Sequence, residues 1–216
     1  MPALLRKALA EFIGTGVFLT AIVGVNFPAN PNVIGTAVLA TALGLMVLLT
    51  SDTSGGHLNP AVTLFFASKK AISWGTAAVY IIAQVAGGIV GGQLGGLIHG
   101  HSVATVNNQI IGNGEVLSEI VATAGLVWLI GYLAARERGN IIPLVVALWV
   151  FSAANFTSTG ASANPAVTIA RFFTASAPIG VEQGLYWILA EIAGVLIAML
   201  ALMFVTPVAA KKKSKK

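Results

Sequence analysis

The five residues Asn-Pro-Ala-Val-Thr occur twice in this chain, within "SGGHLNPAVTLFF" (54–66) and "GASANPAVTIARFF" (160–173). Asn59 and Asn164 stand 105 positions apart, and each copy follows a long apolar run. Asparagine is a strong helix N-cap, and proline is favoured at the first helical position, where its missing N–H costs nothing. Asn59-Pro60-Ala61 and Asn164-Pro165-Ala166 are therefore expected to open short helices over about 60–67 and 165–173. Neither piece is long enough to cross a hydrocarbon layer of about 30 Å. A chain that buries two such starts must build something around them.

The surroundings say what. Of the 216 residues 56% are hydrophobic and only 9% charged, and the mean hydropathy is +0.88. A soluble domain needs about 25% charged residues to face water, so this chain is expected to be a single membrane-embedded domain over 1–216 with a lipid bilayer as its partner. Six stretches are long and apolar enough to span: 8–25, 33–50, 74–98, 117–135, 141–157 and 184–206. Arg6 and Lys7, Lys69 and Lys70, Arg136 and Arg138, and the basic tail 211–216 place eleven of twelve cationic residues on one side of a six-span arrangement. That side is cytoplasmic by the positive-inside rule, with both termini inside. The basic tail reads as an orientation signal rather than a nucleic-acid site. Glu11 within the first apolar run, and no small-residue cleavage site after it, argue for a retained span rather than a signal peptide. Cysteine is absent, which excludes disulfides and thiol chemistry.

The halves 8–98 and 117–206 resemble each other. "AEFIGTG" matches "SEIVATAG", aligning Glu11 with Glu119, and "YIIAQVAGG" matches "YWILAEIAG", aligning Gln84 with Glu191. Three spans per half is an odd number, so the second copy inserts upside down, as an inverted repeat. The fold expected is all-α, with six transmembrane helices plus two re-entrant half-helices. In the third span Gly87, Gly91 and Gly95 form one stripe and Gly88, Gly92 and Gly96 the next, a spacing that lets helix backbones approach closely in lipid.

By that symmetry the half-helices enter from opposite faces and meet start to start near the midplane. Irregular backbone at that depth is tolerated only where it is buried or lines a watery cavity. If each asparagine oxygen caps its own helix, its NH₂ group is free to donate to a permeating oxygen. Two helix N-termini together repel cations.

In these motifs and their inverted frame the chain resembles the aquaporin, or major intrinsic protein, family, in a bacterial-type branch that lacks the usual filter arginine. The resemblance implies an hourglass pore per subunit, a homotetramer, and passive, bidirectional passage of water and small uncharged solutes. Neither cofactor nor metal is implied. Most relatives carry the filter arginine directly after the second motif; here that position is Val167, with Arg171 one turn on. Counting back puts Ser152 and Ala161 at two other filter positions, and the second span offers Leu39 or Thr41. None of these four is cationic. A wide filter follows, which admits glycerol, urea or metalloid hydroxides such as arsenous acid. A prokaryotic plasma membrane is the expected location.

Glu11, Glu119 and Glu191 leave one rival: a proton relay in a coupled secondary transporter. The other reading, favoured by the resemblance, has glutamates accepting hydrogen bonds from loop backbone. His57, two residues before Asn59, is expected to line the pore or pack the loop. His99 and His101 lack acidic or thiol partners for a metal. No nucleophile, acid–base pair or phosphate loop points to an enzyme.

Overall fold

The computed structural model describes residues 1–25, 32–98, 100, 112–174 and 179–205. Every regular element in it is helical: α1 (Ala3–Gly24), α2 (Val33–Ser54), α3 (Pro60–Ser68), α4 (Trp74–Ile98), α5 (Asn113–Ala134), α6 (Ile142–Phe156), α7 (Pro165–Ala170) and α8 (Val181–Phe204). A 3₁₀ turn, Gly139–Ile141, leads into α6, and another, Arg171–Phe173, prolongs α7. His99, His101 and the tail 211–216 lie outside the described residues.

Six of these helices are long and apolar enough to cross a membrane. A 22-residue helix such as α1 rises about 33 Å, enough for the hydrocarbon layer. Their outward faces carry Ile13, Leu48, Leu144, Leu189 and Leu196, all more than half exposed. Their inward faces hold Glu11, Thr15, Gln84, Glu119, Thr123 and Glu191, none of them exposed at all. Apolar outside and polar inside is the arrangement that lipid favours. The chain is an integral membrane protein.

Glycine decides how closely the helices pair. A methyl group on Gly91 would sit 1.9 Å from the Gly16 carbonyl oxygen, and one on Gly87 would sit 2.1 Å from that of Phe12. The stripe Gly87, Gly91 and Gly95 therefore lies backbone to backbone on α1, sealed by Thr20 Oγ1 donating to the Gly91 carbonyl at 3.0 Å. The second stripe turns Gly88 to the Ala166 carbonyl of α7 and Gly92 to Thr174. A methyl group on Gly194 of α8 would sit 2.8 Å from the Ile120 carbonyl oxygen of α5, the counterpart of the Gly87 contact. Thus α4 packs on α1 and α8 on α5, while α2 meets α6 where Gly44 touches Ala147 and the Pro143 carbonyl. The four tight helices leave α3 and α7 enclosed between the halves, with Pro60, Ala61, Thr63, Pro165, Ala166 and Thr168 buried.

Candidate functional site: a pore waist between two helix starts

Each motif folds as its sequence dictates. Asn59 has extended backbone and accepts from the Ala61 N–H through Oδ1 at 2.8 Å, with Pro60 next in the helix. Asn164 does the same for Ala166 at 3.0 Å and Val167 at 3.4 Å. The two caps also hold each other's loops. Asn59 Nδ2 donates to the Ala163 carbonyl at 2.7 Å, and Asn164 Nδ2 donates to the Leu58 carbonyl at 2.9 Å. The helix starts thus face one another across a reciprocal pair of bonds. The expectation that each NH₂ is wholly free needs correction: one N–H of each is committed across the waist, leaving the other to face a solute.

The residues preceding the caps make this geometry possible at a cost. Leu58 and Ala163 sit at φ +48° and +45°, a left-handed backbone that side chains with a Cβ adopt reluctantly. Buried glutamates hold both loops there. Glu11 accepts from the His57 and Leu58 backbones at 3.0 and 2.6 Å, from Ser54 Oγ at 2.5 Å and from Gln84 Nε2 at 2.7 Å. Glu119 accepts from the Ser162 and Ala163 backbones at 3.0 and 2.7 Å. Glu191 accepts from the Asn164 N–H at 3.0 Å and from Thr168 Oγ1 at 2.9 Å. Carboxylates with this many donors are structural ligands for backbone, and every donor here belongs to the loops, the half-helices or their flanking helices.

Two cavities end at the asparagines, and both are lined by Asn59, Asn164, Leu43 and Leu126. One runs along the first loop past Gly55, His57, Val62 and Phe66. Its His57 is buried, pairs with Thr63 Oγ1 through Nδ1 at 3.1 Å and stacks on Phe66 with ring centres 4.8 Å apart. The other runs along the second loop, Thr159 to Asn164, between Phe18, Leu39, Val150, Val167 and Arg171. Leu39 and Ala161 line this cavity as well.

Thr41 and Ser152 do not. Thr41 is exposed and lies in an apolar groove between α2 and α6 on the outer surface. It stands two positions after Leu39, about 200° of helix turn, so only one of them can face inward. Ser152 is also exposed and spends its hydroxyl on the Leu148 carbonyl at 2.9 Å. Val150 takes the inward place on α6. Phe18 and Leu126 were not foreseen; their apolar character gives no sign in the sequence of which side of a span faces a pore.

Arg171 is buried and lines the second cavity. The guanidinium carbon lies 5.1 Å from the centre of the Trp187 ring on α8, and its acidic neighbours are Glu119, Glu115 and Glu191. Trp187 Nε1 in turn donates to Glu115 Oε2 at 3.0 Å.

The comparisons agree with this geometry. The profile of the family described as "Major intrinsic protein" matches residues 1–159. The chain is similar to the aquaglyceroporin AqpS of Rhizobium meliloti, at 36% identity over 93% of this chain and 89% of that protein. It is similar to aquaporin TIP2-1 of Arabidopsis thaliana, at 33% identity over 92% and 86%. Its fold resembles the crystal structure of the aquaglyceroporin from Plasmodium falciparum, with a TM-score of 0.69 at 22% identity over 95% of this chain and 96% of that one.

Proposed function

This chain belongs to the major intrinsic protein family, and from that premise we propose that it is a passive, bidirectional channel whose solute range extends beyond water to glycerol-sized neutral molecules. Members of the family are channels, not enzymes. The observation that carries the reading is the meeting of two cavities at Asn59 and Asn164. A solute passing between them meets the remaining N–H of each amide and the positive ends of α3 and α7. Both favour a neutral oxygen and disfavour a cation or a proton. On the second-loop side Phe18, Leu39, Val150, Ala161 and Val167 give the cavity an apolar wall, with Val167 where relatives have arginine and Arg171 on the same lining one turn further on. That wall suits the carbon skeleton of glycerol. The same width admits urea and arsenous acid.

The remaining features of the reading follow the family and the charge distribution. The chain is one channel domain over 1–216, an inverted repeat of 8–98 and 117–206, assembled as a homotetramer with one pore in each subunit. Both termini and the basic tail 211–216 lie in the cytoplasm of a prokaryotic cell, in whose plasma membrane the protein resides. Glu11, Glu119 and Glu191 are engaged by loop donors, which favours a channel over a proton-coupled transporter.

The test is stopped-flow light scattering on proteoliposomes with water, glycerol, urea and arsenous acid at equal protein density. Glycerol permeability is expected well above that of protein-free vesicles, with rates unchanged by an imposed pH or sodium gradient. Uphill accumulation of any of these solutes under such a gradient would establish the transporter instead.

A further inference from the structure

The supports behind the two loops occupy corresponding positions but differ in chemistry at one buried polar pair. On α4, Gln84 stands four residues after Tyr80 and three before Gly87; on α8, Glu191 stands four after Trp187 and three before Gly194. Gln84 Nε2 donates to Glu11 Oε2 at 2.7 Å and to Thr63 Oγ1 at 2.9 Å. An amide thus supplies protons to a buried carboxylate. Behind the second loop the equivalent residue is itself a carboxyl group.

Glu191 Oε1 is satisfied by the Asn164 N–H and the Thr168 hydroxyl. Its Oε2 is fully enclosed and receives no donor from any described residue. The Glu119 carboxyl stands beside it, because the two acids accept from consecutive backbone N–H groups, Glu119 from Ala163 and Glu191 from Asn164, and Glu119 accepts from Ser162 as well. Both glutamates are 0% exposed. An ionised carboxylate offers acceptors only, and two of them facing each other without water repel at short range. Arg171, from the turn after α7, lies among these acids together with Glu115, one turn before Glu119 on α5. One guanidinium cannot balance three ionised acids. A proton between Glu119 and Glu191 removes one charge and supplies the missing donor.

We propose that Glu119 and Glu191 hold a single proton between them, and that Glu191, as the neutral-acid counterpart of Gln84, is the positioning residue that fixes the second pore loop through the Asn164 N–H. Its protonation makes the two halves chemically equivalent: each loop is gripped by one carboxylate, and each carboxylate takes a hydrogen bond from a neutral group on the helix behind it. The effect on flux rests on the pore reading above, whereas the charge state does not.

The experiment pairs infrared spectroscopy of the purified full-length protein at neutral pH with permeability. Wild type is expected to show the C=O stretch of a protonated carboxylic acid, and Glu191→Gln to lose it. Glutamine keeps the acceptor toward Asn164 and Thr168 and donates to Glu119, so Glu191→Gln should retain water and glycerol permeability within about twofold. Glu191→Ala leaves the Asn164 N–H and Glu119 without partners, and should lower flux of every solute about tenfold or fail to insert. The proposal is overturned by the absence of a protonated-acid band in wild type, by a band that persists in Glu191→Gln, or by a Glu191→Gln protein as impaired as Glu191→Ala. The last would mean that Glu191 acts as an anion paired with Arg171. Wild-type flux in Glu191→Ala would equally remove its positioning role. Because the band is read without transport, failure of the solute reading leaves this test intact.

Discussion

Val167→Arg is expected to lower the ratio of glycerol to water permeability by about tenfold, the effect of raising the larger solute's barrier alone by about 1.4 kcal/mol. Val167 is buried in the first turn of α7 and lines the second cavity opposite Phe18, Leu39 and Val150. An arginine there projects a long side chain with five donors into that space and adds a fixed charge. Water, small and able to bond to the guanidinium, loses less than glycerol, which also needs the width. Arg171→Ala is the companion variant. Since the Arg171 guanidinium rests against Trp187 among Glu119, Glu115 and Glu191, its removal should lower thermal stability while leaving the glycerol-to-water ratio within about twofold. Stopped-flow measurements on wild type and both variants decide the matter. A wild type closed to every larger neutral solute, opened by Arg171→Ala, would show that Arg171 does the filtering and that the apolar wall does not set the range.

Asn164→Asp should reduce water and glycerol flux together by about tenfold and weaken the exclusion of cations. The carboxylate still caps α7, since an anion suits a helix start. What it cannot do is donate. The bond to the Leu58 carbonyl is lost, and two acceptors are left facing each other between the two helix starts. Leu58 is already in a strained left-handed backbone, so its loop has little tolerance for that repulsion. Asn59→Asp should behave likewise through the Ala163 carbonyl. The readouts are osmotic permeability and potassium or proton conductance of the same proteoliposomes, with insertion checked by protein density. Unchanged flux and unchanged ion exclusion in both variants would remove the asparagines from the waist.

The starts of the two half-helices were readable in the sequence because their signals were local, whereas α1 and α5 begin several residues before the apolar runs that announced them. Asn-Pro marks a helix start wherever it occurs, and α3 and α7 begin at Pro60 and Pro165 as those signals require. The glycine stripes of α4 likewise announce close approach, and the structure supplies the partners, α1 for one stripe and α7 with Thr174 for the other. The cavity walls were less legible. Leu39 and Thr41 are separated by half a turn, and counting from a motif across a loop cannot tell which one points inward. Ser152 was misplaced for the same reason: counting back from the second motif put it on the wall, yet it faces outward and satisfies its hydroxyl on its own helix, at Leu148. The bonds that cross between Asn59 and Ala163 and between Asn164 and Leu58 leave no trace at all in either local sequence.

Those crossed bonds bear on how the protein is made. The donor that closes the first loop sits on the second half of the chain, and the donor that closes the second loop sits on the first. When the ribosome has delivered residues up to the end of α4, the Leu58 carbonyl has no Asn164 to meet, and Asn59 has no Ala163. The first half must therefore wait in the bilayer with its loop unfinished, shielded by α1 and α4, until α7 arrives from the later part of the chain. Completion is a single event shared by both halves. A fragment containing one motif would reach it only by finding a second fragment to supply the other.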